Sequence, residues 1–509
     1  MFLRELIKQT SYILASGIVL CGCARDAIDP LALAPENPYS TWTPMKGNNL
    51  VSSKYCQTLL PSSFGTGELN LAELIDIALQ NNPATKQTWA QARAAASQYG
   101  QALSPFYPSI QSSSAYVRQK GSFPVTNSLS SVSSSTSTGA AAAVGNTVQS
   151  NSFTTQTFYS TQAGPDVSLA YVLFDFGKRT AAAMASREAL YYADLTHNQE
   201  IQTTLQTVMD DYYNYLYQMA ALQANVANLA NAQMSLDAAN EKFALGLAAL
   251  GDVASARTQF LQSRINLTTQ KQNVENAFAQ LAVDIGLPAN IPFKVQPMPE
   301  QVVADPMLET IDKLVEVAQA QRQDFLASQA NVRSKEALLL GAKRAVLPTL
   351  STTLDAGHYW FQKGTQEHHF HWIGALSFNF PIFDGFYFKN AVRDAEANLD
   401  LAKAQMLQAE LTLIQNVATS HMGVKTAALN LSDSDEYLKS AELEFSIAIA
   451  AYKAGTQTIL DVLSAQSSLA SARSMKAQAQ QNWFTSLASL AYATGSLCAT
   501  PNEEVVCKN

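Results

Sequence analysis

Leu74-Ile75-Asp76-Ile77-Ala78 returns 240 residues later as Leu314-Val315-Glu316-Val317-Ala318. Arg93 and Arg333, and Pro108 and Pro348, keep that separation. From Asp175 onward the separation is 209, shared by Asp175/Asp384, Gly246/Gly455, Asp252/Asp461, Val253/Val462 and Gly286/Gly495. The chain is therefore one long motif laid down twice, the sequence mark of a pseudo-symmetric fold. The first copy has a net excess of 31 residues, which must lie between Pro108 and Asp175, where residues 128–139 are almost all Ser and Thr. Downstream of that stretch the two copies tolerate no change in length.

The 509 residues carry a net charge of −8, with 47% hydrophobic and 15% charged residues. Bulk disorder is excluded by that apolar content, and the negative balance argues against a nucleic-acid partner. Arg4 and Lys8 precede a short apolar run from Tyr12 to Leu20, the layout of an export leader. Leu20-Cys21-Gly22-Cys23 resembles a bacterial lipobox, which makes residues 1–22 a lipoprotein signal peptide and Cys23 the lipidated residue. A plain secretory leader cleaved nearby is the other reading. Ala24 is compatible with sorting to the outer membrane. Residues 23–68, with Pro30, Pro35, Pro38, Pro44 and Pro61, read as an extended lipid-anchored tether. Cys56, Cys498 and Cys507 remain after export, so a disulfide is chemically plausible and one thiol is left over; the pairing stays open.

Order begins at Asn70, whose side chain can cap a helix with Glu73 completing a capping box. Repeat 1 is expected over residues 69–288 and repeat 2 over 309–495, with a linker at 289–308 and a tail at 496–509. Each repeat should hold a β-hairpin (about 109–174 and about 349–381) and long helices (178–285 and 386–494). Residues 178–245 contain no proline and space Leu205, Tyr212, Met219 and Val226 by seven, with Met209 and Leu216 interleaved. Sustained sevens indicate a left-handed coiled-coil seam. Near 350 and 376 the period changes to two. Leu350, Thr352, Leu354 and Ala356 alternate with Ser351, Thr353 and Asp355; Leu376, Phe378 and Phe380 alternate with Ser377 and Asn379. Val167, Leu169, Tyr171 and Leu173 do the same in the first copy. Runs of about ten alternating residues suit tilted outer-membrane strands, and Tyr116, Tyr159, Tyr171, Tyr359, Trp360 and Trp372 fall near their ends, where interfacial aromatics belong. Four strands cannot close a barrel, and an open edge cannot sit in lipid, so the chain must oligomerise.

Taken in order, Leu69–Pro83, Phe174-Asp175-Phe176-Gly177, Phe383-Asp384-Gly385 and Tyr452–Gln466 resemble the outer-membrane factor (TolC-like) family of bacterial efflux and secretion channels. The resemblance covers about residues 69–495. It implies an α+β membrane protein: a homotrimeric duct with a 12-stranded outer-membrane β-barrel, four strands per protomer, above a long periplasmic α-helical coiled-coil barrel. The implied partners are outer-membrane lipid, a periplasmic adaptor and an inner-membrane pump. Leu245, Gly246, Leu247, Gly455 and Thr456, at the helix reversals, take the place of the family's adaptor-docking tips. Asp252, Asp461 and Tyr452 match its periplasmic gate, in which one acid per chain becomes a ring of like charge. Gln457 and Ser464 stand where relatives have an Arg partner and a second ring Asp, so a salt-bridged lock is not expected.

No nucleophile–base pair, phosphate loop or CxxC is visible, so neither an enzyme nor a cofactor is expected. His368, His369 and His371 are read as part of a polar external loop in preference to a surface metal site. The expected function is the exit channel of a tripartite efflux system passing small molecules. A type I protein-secretion duct is the alternative within transport. A lipid-anchored periplasmic scaffold or adhesin is the alternative of another class, disfavoured because it has no use for alternating strands.

Overall fold

A computed structural model of the chain describes residues 37–39, 68–127, 152–297, 310–361 and 368–498. The leader, Cys23, Cys56, the Ser/Thr-rich stretch and Cys507 lie outside the described residues. The first half runs β1 (Glu68–Leu69), α1 (Leu71–Asn81), α2 (Pro83–Leu103), β2 (Ser109–Asn127), β3 (Ser152–Phe174), α3 (Lys178–Ala244) and α4 (Leu250–Asp284). The second half repeats that order as β4 (Lys294–Val295), α5 (Ile311–Gln321), α6 (Gln323–Arg344), β5 (Thr349–Phe361), β6 (His368–Asn379), α7 (Tyr387–Ala454) and α8 (Ile459–Thr494). The chain forms two compact units. Residues 103–181 and 340–391 make a sheet unit, and the remainder makes a helical unit.

In the helical unit α3 has 67 residues and α7 has 68. At 1.5 Å per residue each is about 100 Å long. Asn70 opens α1 with the reciprocal capping box: its side chain accepts from the Glu73 N–H at 2.9 Å, and Glu73 accepts from the Asn70 N–H at 3.0 Å. Pro83 begins α2, where its missing N–H costs nothing. In copy 1 Leu74, Ile77 and Ala78 of α1 pack with Val208, Tyr212 and Leu216 of α3 and Leu281 of α4. In copy 2 Ala318 of α5 packs with Val417 of α7 and Ala493 of α8. Val208 and Val417 are equivalent by the separation of 209, and Ala78 and Ala318 by 240, so the duplication extends to the packing.

The same equivalence holds where each long pair ends. Gly286, at φ 77°, closes α4 so tightly that a Cβ there would lie 2.6 Å from the backbone carbonyl carbon of Asn81. Gly495, at φ 75°, stands in the same relation to Gln321, at 3.0 Å. Only glycine satisfies both the left-handed backbone and the close approach. The heptad seam behaves as expected through Leu205, Tyr212 and Leu216, which are buried, but Val226 is 53% exposed. Beyond it alanines carry the burial, Ala232, Ala238 and Ala239, because a straight helix drifts off a strict sevenfold repeat.

The sheet unit has strand order β2-β3-β5-β6 and is antiparallel throughout. Its strands are longer than expected: β2 pairs with β3 from Ser109/Ala170 out to Asn127/Ser152. The extra length mixes a few apolar residues (Phe123, Val125, Phe153, Phe158) with Ser, Thr, Gln and Lys, and carries no sustained apolar alternation to announce it. His368, His369 and His371 lie in β6 and not in a loop; a polar run reads as loop until cross-strand pairing claims it.

One core group breaks the rule that buried charges are paired. Asp194 of α3 is fully buried, neither carboxylate oxygen has a hydrogen-bond partner, and burial pushes its pKa up to about 8. The folded state therefore holds a proton that the unfolded chain releases above about pH 4. The contribution of this one group to stability is accordingly fully present below about pH 4 and is lost as pH rises through about 8. Asp194→Asn is expected to raise the thermal midpoint at pH 8 by several degrees and to flatten its decline between pH 5 and 8. Thermal unfolding followed by circular dichroism at the two pH values measures both.

Candidate functional site

The residues singled out in the sequence gather at the two reversals of the long helices, all within the helical unit. At the first, Gly246 (φ 71°) donates to the Phe243 carbonyl at 2.9 Å, and Leu247 donates to the Lys242 carbonyl at 2.8 Å. At the second, Gly455 (φ 85°) donates to Tyr452 O at 3.0 Å, and Thr456 donates to Ala451 O at 3.0 Å. Both are Schellman endings, in which a left-handed residue turns two amides back onto the last helical carbonyls. The backbones match, but the surfaces differ. The first turn exposes Leu245, Leu247 and Leu250, each about 70% accessible, whereas the second exposes Thr456, Gln457 and Leu460.

Asp252 and Asp461 open the returning helices. Asp461 accepts from the Thr458 N–H at 2.9 Å and the Thr458 hydroxyl at 2.7 Å, which hold its carboxyl below the usual range. Asp252 accepts only from the Ala249 N–H, at 3.2 Å, since alanine offers no hydroxyl. Each acid thus also neutralises the positive end of a helix.

Tyr452 does not bond to either acid. It is 3% exposed, packed with Phe445, Ile459, Val462 and Ala239, and its hydroxyl is buried without a hydrogen-bond partner. Burial, and next the charge of Asp252, raise its pKa. Lys242, on the last turn of α3, donates to the Tyr452 carbonyl and sits 4.1 Å from the Tyr452 ring centroid. One cation therefore caps the C-terminus of α7 and stacks on its aromatic ring. It ties the copy-1 hairpin to the copy-2 hairpin. Lys242 is not among the tip residues expected from the sequence, although a lysine in the last turn of a helix is a recognisable capping signal. Of the cysteines, Cys498 falls in a short turn of 3₁₀ helix, Ser496–Cys498.

The sheet unit, taken by itself, carries a second set of the residues singled out in the sequence. One face carries Leu354, Leu169, Ala356, Val167, Trp372, Leu376 and Phe378; the other carries Ser351, Ser377, Thr353, Asp355, Ser168 and Asp166. The apolar face is solvent-exposed in the single chain, with Trp372, Leu376 and Phe378 each more than two-thirds accessible. A strongly apolar face without a covering layer is what lipid contact requires. Tyr116 and Trp360 meet in one row through Ala163.

A family model described as outer membrane efflux protein matches residues 74–287 and again 314–496, once for each copy. The chain belongs to the outer membrane efflux protein family. Protein CyaE of Bordetella pertussis is 26% identical over 415 residues, 80% of each chain. Outer membrane protein TolC of Escherichia coli is 25% identical over 351 residues, 66% of this chain and 70% of its own. Among solved structures, the CmeC outer membrane channel of Campylobacter jejuni superposes with a TM-score of 0.70 at 19% identity, covering 91% of this chain and 94% of that one. Membership of this efflux protein family makes the protein an outer-membrane exit channel with a large periplasmic part, in a family of ducts rather than enzymes.

The tip geometry separates two contributions of Tyr452. Tyr452→Phe removes an unsatisfied buried hydroxyl and is expected to leave stability unchanged or raise it by up to about 1 kcal/mol. Lys242→Met removes a cap and a cation–π contact and is expected to cost about 1 kcal/mol. Chemical denaturation of the detergent-solubilised protein measures both.

Proposed function

We propose that three copies of this chain close a twelve-stranded barrel and form a passive efflux duct for small molecules, docked below on a periplasmic adaptor and an inner-membrane pump. The observation that carries this reading is the two-faced sheet with unpaired edges at β2 and β6. Antiparallel closure of β6 of one copy onto β2 of the next satisfies those edges and puts the polar face around a common lumen. The lipid anchor at Cys23 holds each copy to the same membrane, and the repeat boundaries at 69–288 and 309–495 give each copy one hairpin for the barrel and one for the tip. Cys56, Cys498 and Cys507 remain candidates for a disulfide.

At the helix reversals, Leu245, Gly246 and Leu247 offer an apolar docking tip, while Gly455 and Thr456 offer a polar one. Six helix reversals per trimer then present two alternating surfaces to adaptor hairpins. Asp252 and Asp461 would form rings of like charge, with Tyr452 behind them. Lys242 supplies the cation that Gln457 lacks, but it acts within one chain and on a carbonyl. The gate is accordingly held by hydrogen bonds and packing.

Two measurements test the reading. Detergent extracts should contain a heat-modifiable trimer, and a deletion strain should become several-fold more sensitive to dyes, detergents and hydrophobic antibiotics. In planar bilayers Asp461→Ala should lower cation selectivity and change single-channel conductance. A monomeric, non-conducting protein would overturn the duct; unchanged selectivity and conductance would remove Asp461 from the gate.

A further inference from the structure

We infer that Asp166, Gly357 and His371 form a proton-sensitive charge filter in the channel wall, which weakens cation preference when the outside medium turns acidic. The inference rests on the reading that the polar face of the sheet lines the lumen.

The register places Ser113, Asp166, Gly357 and His371 in one row across all four strands. Asp166 of β3 and His371 of β6 are each paired with Gly357 of β5 and not with each other. Two strand spacings, about 9.6 Å, separate their backbones. Even so, His371 Nε2 lies 3.7 Å from Asp166 Oδ1. The two side chains meet over the central strand, in the space that a side chain at 357 would fill. A Cβ on Gly357 would stand 2.6 Å from Asp166 Oδ1, 2.6 Å from His371 Cε1 and 3.1 Å from the Pro165 carbonyl. Gly357 is not among the residues with positive φ, so the backbone does not call for glycine. A glycine in a central strand weakens it; the Asp–His contact is the feature that the missing side chain makes possible.

The charges around the pair are few. On the same face β5 contributes Asp355, two residues from Gly357, while β2 contributes Ser113 and Gln111 and β3 Ser168. By register, Tyr359 and His369 form the next row outward. No Lys or Arg falls in the rows from Thr353 to Gly357 on this face. Imidazole is the side chain whose ordinary charge change falls between pH 5 and 8, whereas a carboxyl in water ionises below that range. With His371 neutral, Asp166 and Asp355 give each protomer two wall charges. With His371 protonated, Asp166 is compensated and Asp355 alone remains. In a lumen shared by three copies the change is three charges at one level of the pore, and rings of charge of this kind set ion preference.

The test uses the full-length protein in a planar bilayer under a tenfold KCl gradient, reading reversal potential at pH 7.5 and pH 5.0. Wild type should show at least a twofold greater cation-to-anion permeability ratio at pH 7.5. His371→Gln should keep the higher ratio at both pH values. Asp166→Asn should lower it at pH 7.5 and remove most of the pH difference. Gly357→Ala, which displaces only side-chain ends at its two closest contacts, should conduct yet respond to pH less than wild type. Asp461→Asn, at the tip, should shift the ratio equally at both pH values. A conducting wild type with no pH dependence, or a His371→Gln channel that keeps it, overturns the filter and leaves the duct standing. Absence of conductance from a folded trimer overturns the duct itself and the filter with it.

Discussion

An unpaired row of backbone amides and carbonyls cannot be left facing hydrocarbon. That single constraint governs the sheet, because the four strands of one chain end in two open edges, β2 and β6. Everything else about the assembly answers to it. The chain must meet copies of itself in the membrane, so its helices must also meet copies of themselves. A protomer is accordingly only a segment of a wall, and its exposed apolar side chains belong to contacts that it cannot make alone.

The duplication is how the chain meets that demand economically. Asn81 against Gly286 and Gln321 against Gly495 are the same contact made twice, with the same absence of a side chain. Val208 and Val417, and Ala78 and Ala318, fill matching positions in two cores. Where the copies must do different work they diverge while the backbone stays constant. The tips keep one Schellman geometry but show leucines in one copy and threonine and glutamine in the other. Lys242 has no counterpart, since Ala451 occupies the equivalent place, and its contact with Tyr452 joins one copy to the other.

Residues whose role is set by period were legible before any coordinates. Leu354 and Asp355 fall on opposite faces as alternation requires, and Gly246, Gly455, Gly286 and Gly495 end helices as glycine does. Residues whose role is set by a partner far away in the chain were not. Nothing near His371 announces Asp166, and nothing near Lys242 announces Tyr452. The ends of the strands were also hidden. Period two is visible only when one face is apolar, and Arg118-Gln119-Lys120 presents no such face. The acids at the tip sit between these cases: Asp461 was readable as a helix-capping residue, but the hydroxyl of Thr458 that distinguishes it from Asp252 was not singled out.

The unequal hairpins leave one more mark. Among the described residues, β3 pairs with β2 alone from Ser152 to Thr161, and β5 joins it at Gln162. Among the described residues that stretch is a two-stranded ribbon about 33 Å long. A ribbon with unpaired edges cannot lie in hydrocarbon. Repeated in a trimer, such ribbons, rich in Ser, Thr and Gln, would extend past the last described pair of the second hairpin, Trp360 with His368. Whatever leaves such a duct, or arrives at the cell surface, would pass three polar ribbons before anything else of the wall.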